Sequence, residues 1–387
     1  MPVLDVPEPE FMADDELRMF ADSADIFFKR EATPERVARW REDGQVERAM
    51  WEKAGENGFL GVGIPTEYGG AGGDFRHDVV LVEAVAKNAV EGFALSLHNV
   101  IVLPYILLHG TEEQRRRWLP RLCSGELIAS IAMSEPGAGS DLQSIRTTAR
   151  RDGNGYRING SKTFISNGQL SNFVVVVAKT DPSQGARGTS LLIVETDQAE
   201  GFRRGRNLDK IGNDAQDTSE LFFDDVFVPA DNLLGPEEGK GFFQLMAELP
   251  RERLIIAIAG IHVMERAIAQ TVEYTKSRKA FGQSIFDFQN TQFKLAEAKA
   301  KATVAKVFVN DCIARALAGT LDNTTSAIAK LFVTETEWQV VDDCLQLHGG
   351  YGYTSDYPIS HMFRNSRIQR IYGGSSEIMK VLIARSL

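Results

Sequence analysis

The pattern that most constrains this chain is a double change of hydrophobic period along its 387 residues. Up to about residue 127, the stretches 16–30, 47–58, 79–89 and 112–123 place apolar residues at helical spacing. From about 128 to 235 the pattern shifts to short β-branched runs, Phe173-Val-Val-Val-Val-Ala178 and Ser190-Leu-Leu-Ile-Val-Glu195. Leu221-Phe-Phe-Asp-Asp-Val-Phe-Val228 is a third candidate. Beyond 235, the stretches 242–276, 293–317, 326–347 and 376–386 are helical again. No helical pattern separates the strands, which favours an antiparallel barrel or sandwich over a parallel sheet. No Gly-x-Gly-x-x-Gly follows a strand, so a nicotinamide-binding unit has no support. The expected fold is α+β, mainly α: an N-terminal helical domain (1–127), a middle antiparallel β domain (128–235) and a C-terminal four-helix bundle (236–387).

Charge narrows the function classes. With 43 basic and 53 acidic residues, the net charge of −10 argues against bulk binding to nucleic acid or anionic membrane. Cys123, Cys312 and Cys344 are too widely spaced for a zinc or redox motif, so buried thiols in a reducing compartment and no metal site are expected. The Pro-rich acidic start, Met1-Pro-Val-Leu-Asp-Val-Pro-Glu-Pro-Glu10, resembles neither a signal nor a transit peptide. The apolar runs 101–108 and 254–263 are too short to span a bilayer. A cytoplasmic protein is the expectation.

The stretch richest in chemistry is Ile131-Ala-Met133-Ser134-Glu-Pro-Gly-Ala-Gly139-Ser140-Asp-Leu142, followed by Asn159-Gly-Ser-Lys-Thr-Phe164-Ile165-Ser166. Its glycines let backbone N–H groups approach a ligand closely, and Ser140 adds a hydroxyl. Asn159-Gly160 reads as a tight hairpin turn that delivers Phe164 as an aromatic platform. Such a pair suits a flat ring with a phosphate tail; alone, a glycine-rich loop is more often a surface turn. Glu248-Leu-Pro-Arg-Glu252-Arg253-Leu254 leads into an apolar helix, with Pro250 suiting a first turn or a local break. Glu252 between two arginines is ordinarily a solvated helix start. At the edge of an apolar cavity it would be a general base, raised in pKa by burial and lowered by Arg251 or Arg253.

Three further segments are Ser277-Arg278-Lys-Ala-Phe281-Gly282 with Gln289, Gln346-Leu347-His348-Gly349-Gly350, and Ile371-Tyr-Gly373-Gly374-Ser375-Ser-Glu377. Their glycines at helix ends leave backbone donors free for phosphate or carbonyl oxygens. His98, His262 and His348 lack any triad or metal spacing and read as packing or hydrogen-bonding residues.

Met-Ser-Glu-Pro-Gly-Ala-Gly-Ser-Asp with Gly-Ser-Lys-Thr-Phe-Ile-Ser-Asn-Gly resembles the flavin-binding segment of acyl-CoA dehydrogenases, and the resemblance runs along nearly the whole chain. It implies FAD held by Ile131, Met133, Ser134, Gly139, Ser140, Phe164, Ile165, Ser166, Ser375 and Glu377. Many members carry Trp where this chain has Phe164. Arg278, Phe281, Gln289, Gln346, Leu347, Gly349 and Gly350 match positions that reach a neighbouring subunit's dinucleotide, which implies a homo-oligomer, with a dimer of dimers suggested. Ser140, Arg187, Phe243, Arg253, Gly373 and Gly374 are implied to contact the acyl-CoA. Most members place their base in a C-terminal Tyr-Glu-Gly-Thr; here Tyr372-Gly-Gly-Ser puts Gly373 there, and Glu252 matches the alternative placement of long-chain and isovaleryl members. The sequence around Glu252 is more like the long-chain type. The implied reaction makes a trans-2-enoyl-CoA and passes electrons to an electron-transferring flavoprotein. An oxidase that uses oxygen, and a non-enzymatic acyl-CoA-binding or assembly protein, are the alternatives.

Overall fold

The computed structural model describes residues 3–387; Met1 and Pro2, where the expected first domain and its acidic leader begin, lie outside the described residues. The first part is helical: α1 (Asp15–Glu31), α2 (Pro34–Asp43), α3 (Arg48–Glu56), α4 (Phe75–Lys87), α5 (Leu103–His109) and α6 (Glu112–Cys123). A π-helix, Leu97–Val102, runs directly into α5, with Pro104 at the junction. Local chemistry sets the helix starts. Asp14 accepts from the N–H groups of Glu16 and Leu17 to begin α1. Thr111 and Gln114 cap each other at α6, whose predicted bounds are those observed. Periodicity missed α2 because only Val37 and Trp40 are buried along it. The Thr33–Pro34 start and Gly44 at φ 68 were its legible signals.

The middle part is one seven-stranded sheet: β1 (Ala129–Ala132), β2 (Thr148–Asp152), β3 (Gly155–Ser166), β4 (Phe173–Lys179), β5 (Thr189–Glu195), β6 (Phe202–Asn207) and β7 (Thr218–Pro229). Most pairs are antiparallel, but β1 lies parallel to β4, so the sheet is mixed where an antiparallel one was expected. β5 covers the opposite edge of β4 along its whole length, which leaves that strand completely buried. The expected hairpin turn at Asn159–Gly160 is absent; both residues lie inside β3. The chain turns instead at Asp152–Gly155, between β2 and β3. Gly160 is needed because a Cβ there would stand 2.4 Å from Thr147 Oγ1, and a bulge against β7 begins at the same point.

The last part holds α7 (Gly241–Ser277), a two-stranded ribbon β8 (Lys279–Ala280) and β9 (Gln283–Ser284), α8 (Gln289–Leu317), α9 (Asn323–His348), α10 (Pro358–Ser366) and α11 (Ser376–Ala384). The four expected helices are present as α7, α8, α9 and α11, three long and one short, and the short α10 is added to them. Pro250 sits ten residues into α7 and does not end it, although it cannot donate to the Met246 carbonyl. By length and composition α7 could cross a membrane, but half of its most apolar window is buried within the protein. It packs against α4, α5, α8, α9, α10 and β5, and so joins the three parts. Cys123, Cys312 and Cys344 are free and buried.

One buried group strains this core. Glu337 of α9 is 0% exposed, and among the described residues neither carboxyl oxygen has a donor. The nearby Ser366 hydroxyl donates to the Met362 carbonyl instead. Burial pushes Glu337 up to about 8, with Arg266 pulling against it. Its folded pKa is therefore above its unfolded one, so its contribution to stability is complete below about 4.5 and is lost as pH rises toward 8. Glu337→Gln should match wild type in thermal melts at pH 4.5. It should then become progressively more stable than wild type up to pH 8, and hold that lead at pH 9. A gap that does not change with pH would show that Glu337 ionises as freely folded as unfolded.

Candidate active site

A cavity of about 500 Å³ opens where the three parts meet. The loop after β1 contributes Met133, Ser134, Gly139, Ser140 and Asp141, and the end of β3 contributes Ser166. The segment 92–97 and Ile101 of the π-helix form an apolar wall. α7 presents Met246, Leu249, Glu252, Arg253, Ile255 and Ile256, and Tyr372, Gly373 and Gly374 close the far side.

Glu252 is the one carboxylate that α7 exposes to this space, and it is only 5% exposed overall. Burial raises its pKa to about 7; the Tyr105 hydroxyl, which donates to its Oε1 at 2.8 Å, works against that rise. Glu248, one turn away, raises it further, and Arg253 lowers it. Burial thus outweighs the arginines that the sequence set against it. Arg251 takes little part, because its guanidinium turns to Asp78 at 2.7 Å. Arg253 donates to Asn323 Oδ1 at 3.2 Å, while its buried Nε has no partner among the described residues.

The glycine-bearing loop is held from beneath. Glu135, almost fully buried, accepts from the backbone of Arg146 (2.6 Å) and Thr147 (2.9 Å) and from Lys162 Nζ (2.9 Å). Lys162 also donates to the Met133 carbonyl at 3.0 Å. Burial pushes this lysine down to about 8, with Glu135 opposing. The Thr163 N–H donates to the Ser134 carbonyl at 3.0 Å, which joins the loop to β3. A methyl group built on Gly137 or Gly139 would meet nothing within 4 Å, so the upper face of the loop is open to a ligand. On the far side Lys330, completely buried, donates to the Gly374 carbonyl at 2.6 Å.

Not every expected residue reaches the cavity. Ile131 and Ile165 pack into the cores beneath it. Phe164 does not line it, and is 69% exposed at φ 60. Ser375 caps α11 through the Ile378 N–H, with Glu377 in its first turn. Arg187 is exposed at the end of the 3-10 segment Pro182–Gly188. Phe243 is 55% exposed, and its neighbour Phe242 lines the cavity in its place.

Arg278, Gln346, Leu347, Gly349 and Gly350 line a second hollow of about 620 Å³ with Tyr274, His348 and Tyr351. It shares no lining residue with the first. Phe281 beyond it is 95% exposed at φ 51, and Gln289 begins α8. A bulky aromatic in the left-handed region is an outlier that needs a cause, and this chain holds two of them bare to solvent. The histidines are bound locally. His98 contacts the Leu122 carbonyl and the Ala129 N–H, His348 contacts the Cys344 carbonyl, and His262 lies between Glu83 and Glu265.

Tyr105, Lys330 and the Glu135–Lys162 pair escaped the sequence reading. Lys330 had a signal, being the one charge in Ala327-Ile-Ala-Lys330-Leu-Phe-Val333. Tyr105 had none, because its partner lies 147 positions away.

Comparison with known proteins places this geometry. Models of the N-terminal, middle and C-terminal domains of acyl-CoA dehydrogenase match residues 14–126, 130–226 and 239–387. The mitochondrial long-chain specific acyl-CoA dehydrogenase of Sus scrofa is 46% identical over 371 residues, 95% of this chain and 86% of that protein. A 3-(aryl)acrylate reductase of Clostridium sporogenes is 39% identical over 87% of this chain and 89% of its own. Among solved structures, an acyl-CoA dehydrogenase from Geobacillus kaustophilus superposes with a TM-score of 0.94 at 46% identity, covering 96% of this chain and 98% of that one. One from Bacillus anthracis, solved in complex with FAD, gives 0.90 at 30% identity over 99% of this chain and 69% of its own. This chain belongs to the acyl-CoA dehydrogenase family of oxidoreductases.

Proposed function

We propose that this protein carries out the FAD-dependent α,β-dehydrogenation of medium- or long-chain acyl-CoA thioesters, with Glu252 as the base. The observation that carries the reading is a carboxyl group buried in a largely apolar cavity wall, with its pKa raised to about 7. A general base works best when its pKa lies near the working pH, and a thioester α-proton demands a close and poised acceptor. Gly373, where most members carry Glu, supplies no competing carboxylate, and its N–H is the assigned donor to the thioester carbonyl. Lys330, by holding the Gly374 carbonyl, keeps that segment in place.

The residues present fit FAD. The open glycine loop, with Met133, Ser134, Gly139, Ser140 and Ser166, suits the ring and phosphate, and the bare Phe164 offers it an aromatic edge. Arg278, Phe281, Gln289 and the 346–350 segment form a separate surface, which favours an FAD site completed by a second copy of the chain. When bound, FAD supplies the acceptor for the β-hydrogen of the substrate. The chain's own part is to exclude water with the apolar wall, orient the thioester against Gly373, and take up the α-proton on Glu252. An electron-transferring flavoprotein is the assigned acceptor, and the cytoplasm the assigned compartment. The acrylate reductase relative supports a second reading, in which the same site runs toward the saturated product.

Anaerobic addition of saturated acyl-CoAs of graded length should bleach the flavin of the purified protein. If only 2-enoyl-CoA with a reductant turns over, the reductase direction holds. Glu252→Gln should keep FAD and acyl-CoA binding while losing about a hundredfold to ten-thousandfold in rate. Adding Gly373→Glu should restore part of it. Recovery will be incomplete, because position 373 sits at φ 63 and a side chain there must displace Ile256. Normal turnover by Glu252→Gln would remove the assigned base. Arg278→Ala should weaken FAD retention through loss of a charge-assisted contact; unchanged flavin occupancy and affinity would remove that assignment.

A further inference from the structure

The elements behind Glu252 form a matched ladder. α5 and α7 run so that Tyr105 meets Glu252 while His109, one turn later, meets Glu248, one turn earlier; His109 Nε2 lies 3.1 Å from Glu248 Oε1. Tyr105 is 0% exposed and takes no part in lining the cavity, whereas Glu252 does line it. The phenol therefore grips the carboxyl from the rear. Its hydroxyl occupies Oε1 at 2.8 Å, and among the described residues no donor reaches Oε2. Without that grip, a carboxyl group beside Glu248 would turn away from a like charge at i,i+4 spacing.

We propose that Tyr105 is a positioning residue for Glu252, holding Oε1 so that Oε2 is presented to the substrate and stabilising the carboxylate against its burial. A hydrogen bond donated to the charged form favours that form, and it is the largest influence opposing desolvation here. The other groups that face the site are Glu248, Arg253, His109, Asp141 and Tyr372 across the cavity, and Lys330 behind Gly374; Tyr105 is the one that hydrogen-bonds the carboxyl group. The inference rests on Glu252 being the base.

The test uses the FAD-loaded enzyme in two versions that change the donor in opposite directions. Tyr105→Phe deletes it and keeps the ring; 3-fluorotyrosine incorporated at position 105 makes it stronger at nearly the same volume. Protonation of Glu252 is read directly from the carboxyl infrared band that is missing in Glu252→Gln, and kcat and KM are measured against pH. With Tyr105→Phe the midpoint should rise by about one unit, a tenfold change in the ionisation constant. kcat should fall about tenfold at pH 6 and recover toward pH 9, with KM changed less than about twofold. With fluorotyrosine the midpoint should fall. Midpoints that stay put, or move the same way in both proteins, would overturn the inference. If Tyr105→Phe does not fold, the fluorotyrosine protein decides alone. If Glu252→Gln turns over normally, the reading of Glu252 as base fails, while the infrared titration still decides whether Tyr105 governs its ionisation.

Discussion

The site depends on one unfavourable act, the burial of the Glu252 carboxyl group. Left in water it would ionise near the ordinary glutamate value and be a weak base at neutral pH. Taken into the wall of an apolar cavity it is raised to about 7, and the Tyr105 hydroxyl keeps the rise from going further. That burial requires α7 to run through the middle of the molecule, against helices before and after the sheet and against β5. The long apolar helix is thus both the spine of the fold and the carrier of its most poised acid.

The surrounding loops could not hold their shapes unaided. A glycine-rich loop has more conformational freedom to lose than most, so it needs fixed points. Glu135 and Lys162 provide them under one side of the cavity, Lys330 under the other. Breaking one partner of such a buried pair leaves the other charged group without compensation, a cost of roughly 3–5 kcal/mol. These residues touch no ligand space of their own, yet the open upper faces of the loops rest on them.

Much of this was legible in the sequence, and what was not has a common cause. The change of period marked the sheet between two helical parts, because amphipathic faces report burial locally. Asn159–Gly160 misled, since a glycine that avoids Thr147 looks the same in sequence as one that makes a turn. Pro250 misled for a related reason: the packing of α7 against elements from all three parts of the chain overrides a local helix breaker. Glu252 was marked in the sequence as a candidate base and does line the cavity, but the winner between burial and its arginines was not legible. That outcome turns on Arg251 pairing with Asp78 and on Tyr105 arriving from another helix. Parallel pairing of β1 with β4 was likewise a matter of distant contact, which short strands do not announce.

The most direct measurement of the central claim is the pH dependence of α-proton removal in a single anaerobic turnover. Acyl-CoA carrying deuterium at the α-carbon is mixed with enzyme between pH 5 and 9, and loss of flavin absorbance is followed. The rate should climb about tenfold per unit below pH 7 and level off above it, because the carboxylate is the active form. Deuterium should slow it throughout the climb. A rate that is flat across this range, or that falls as pH rises, would contradict a buried carboxylate as the base.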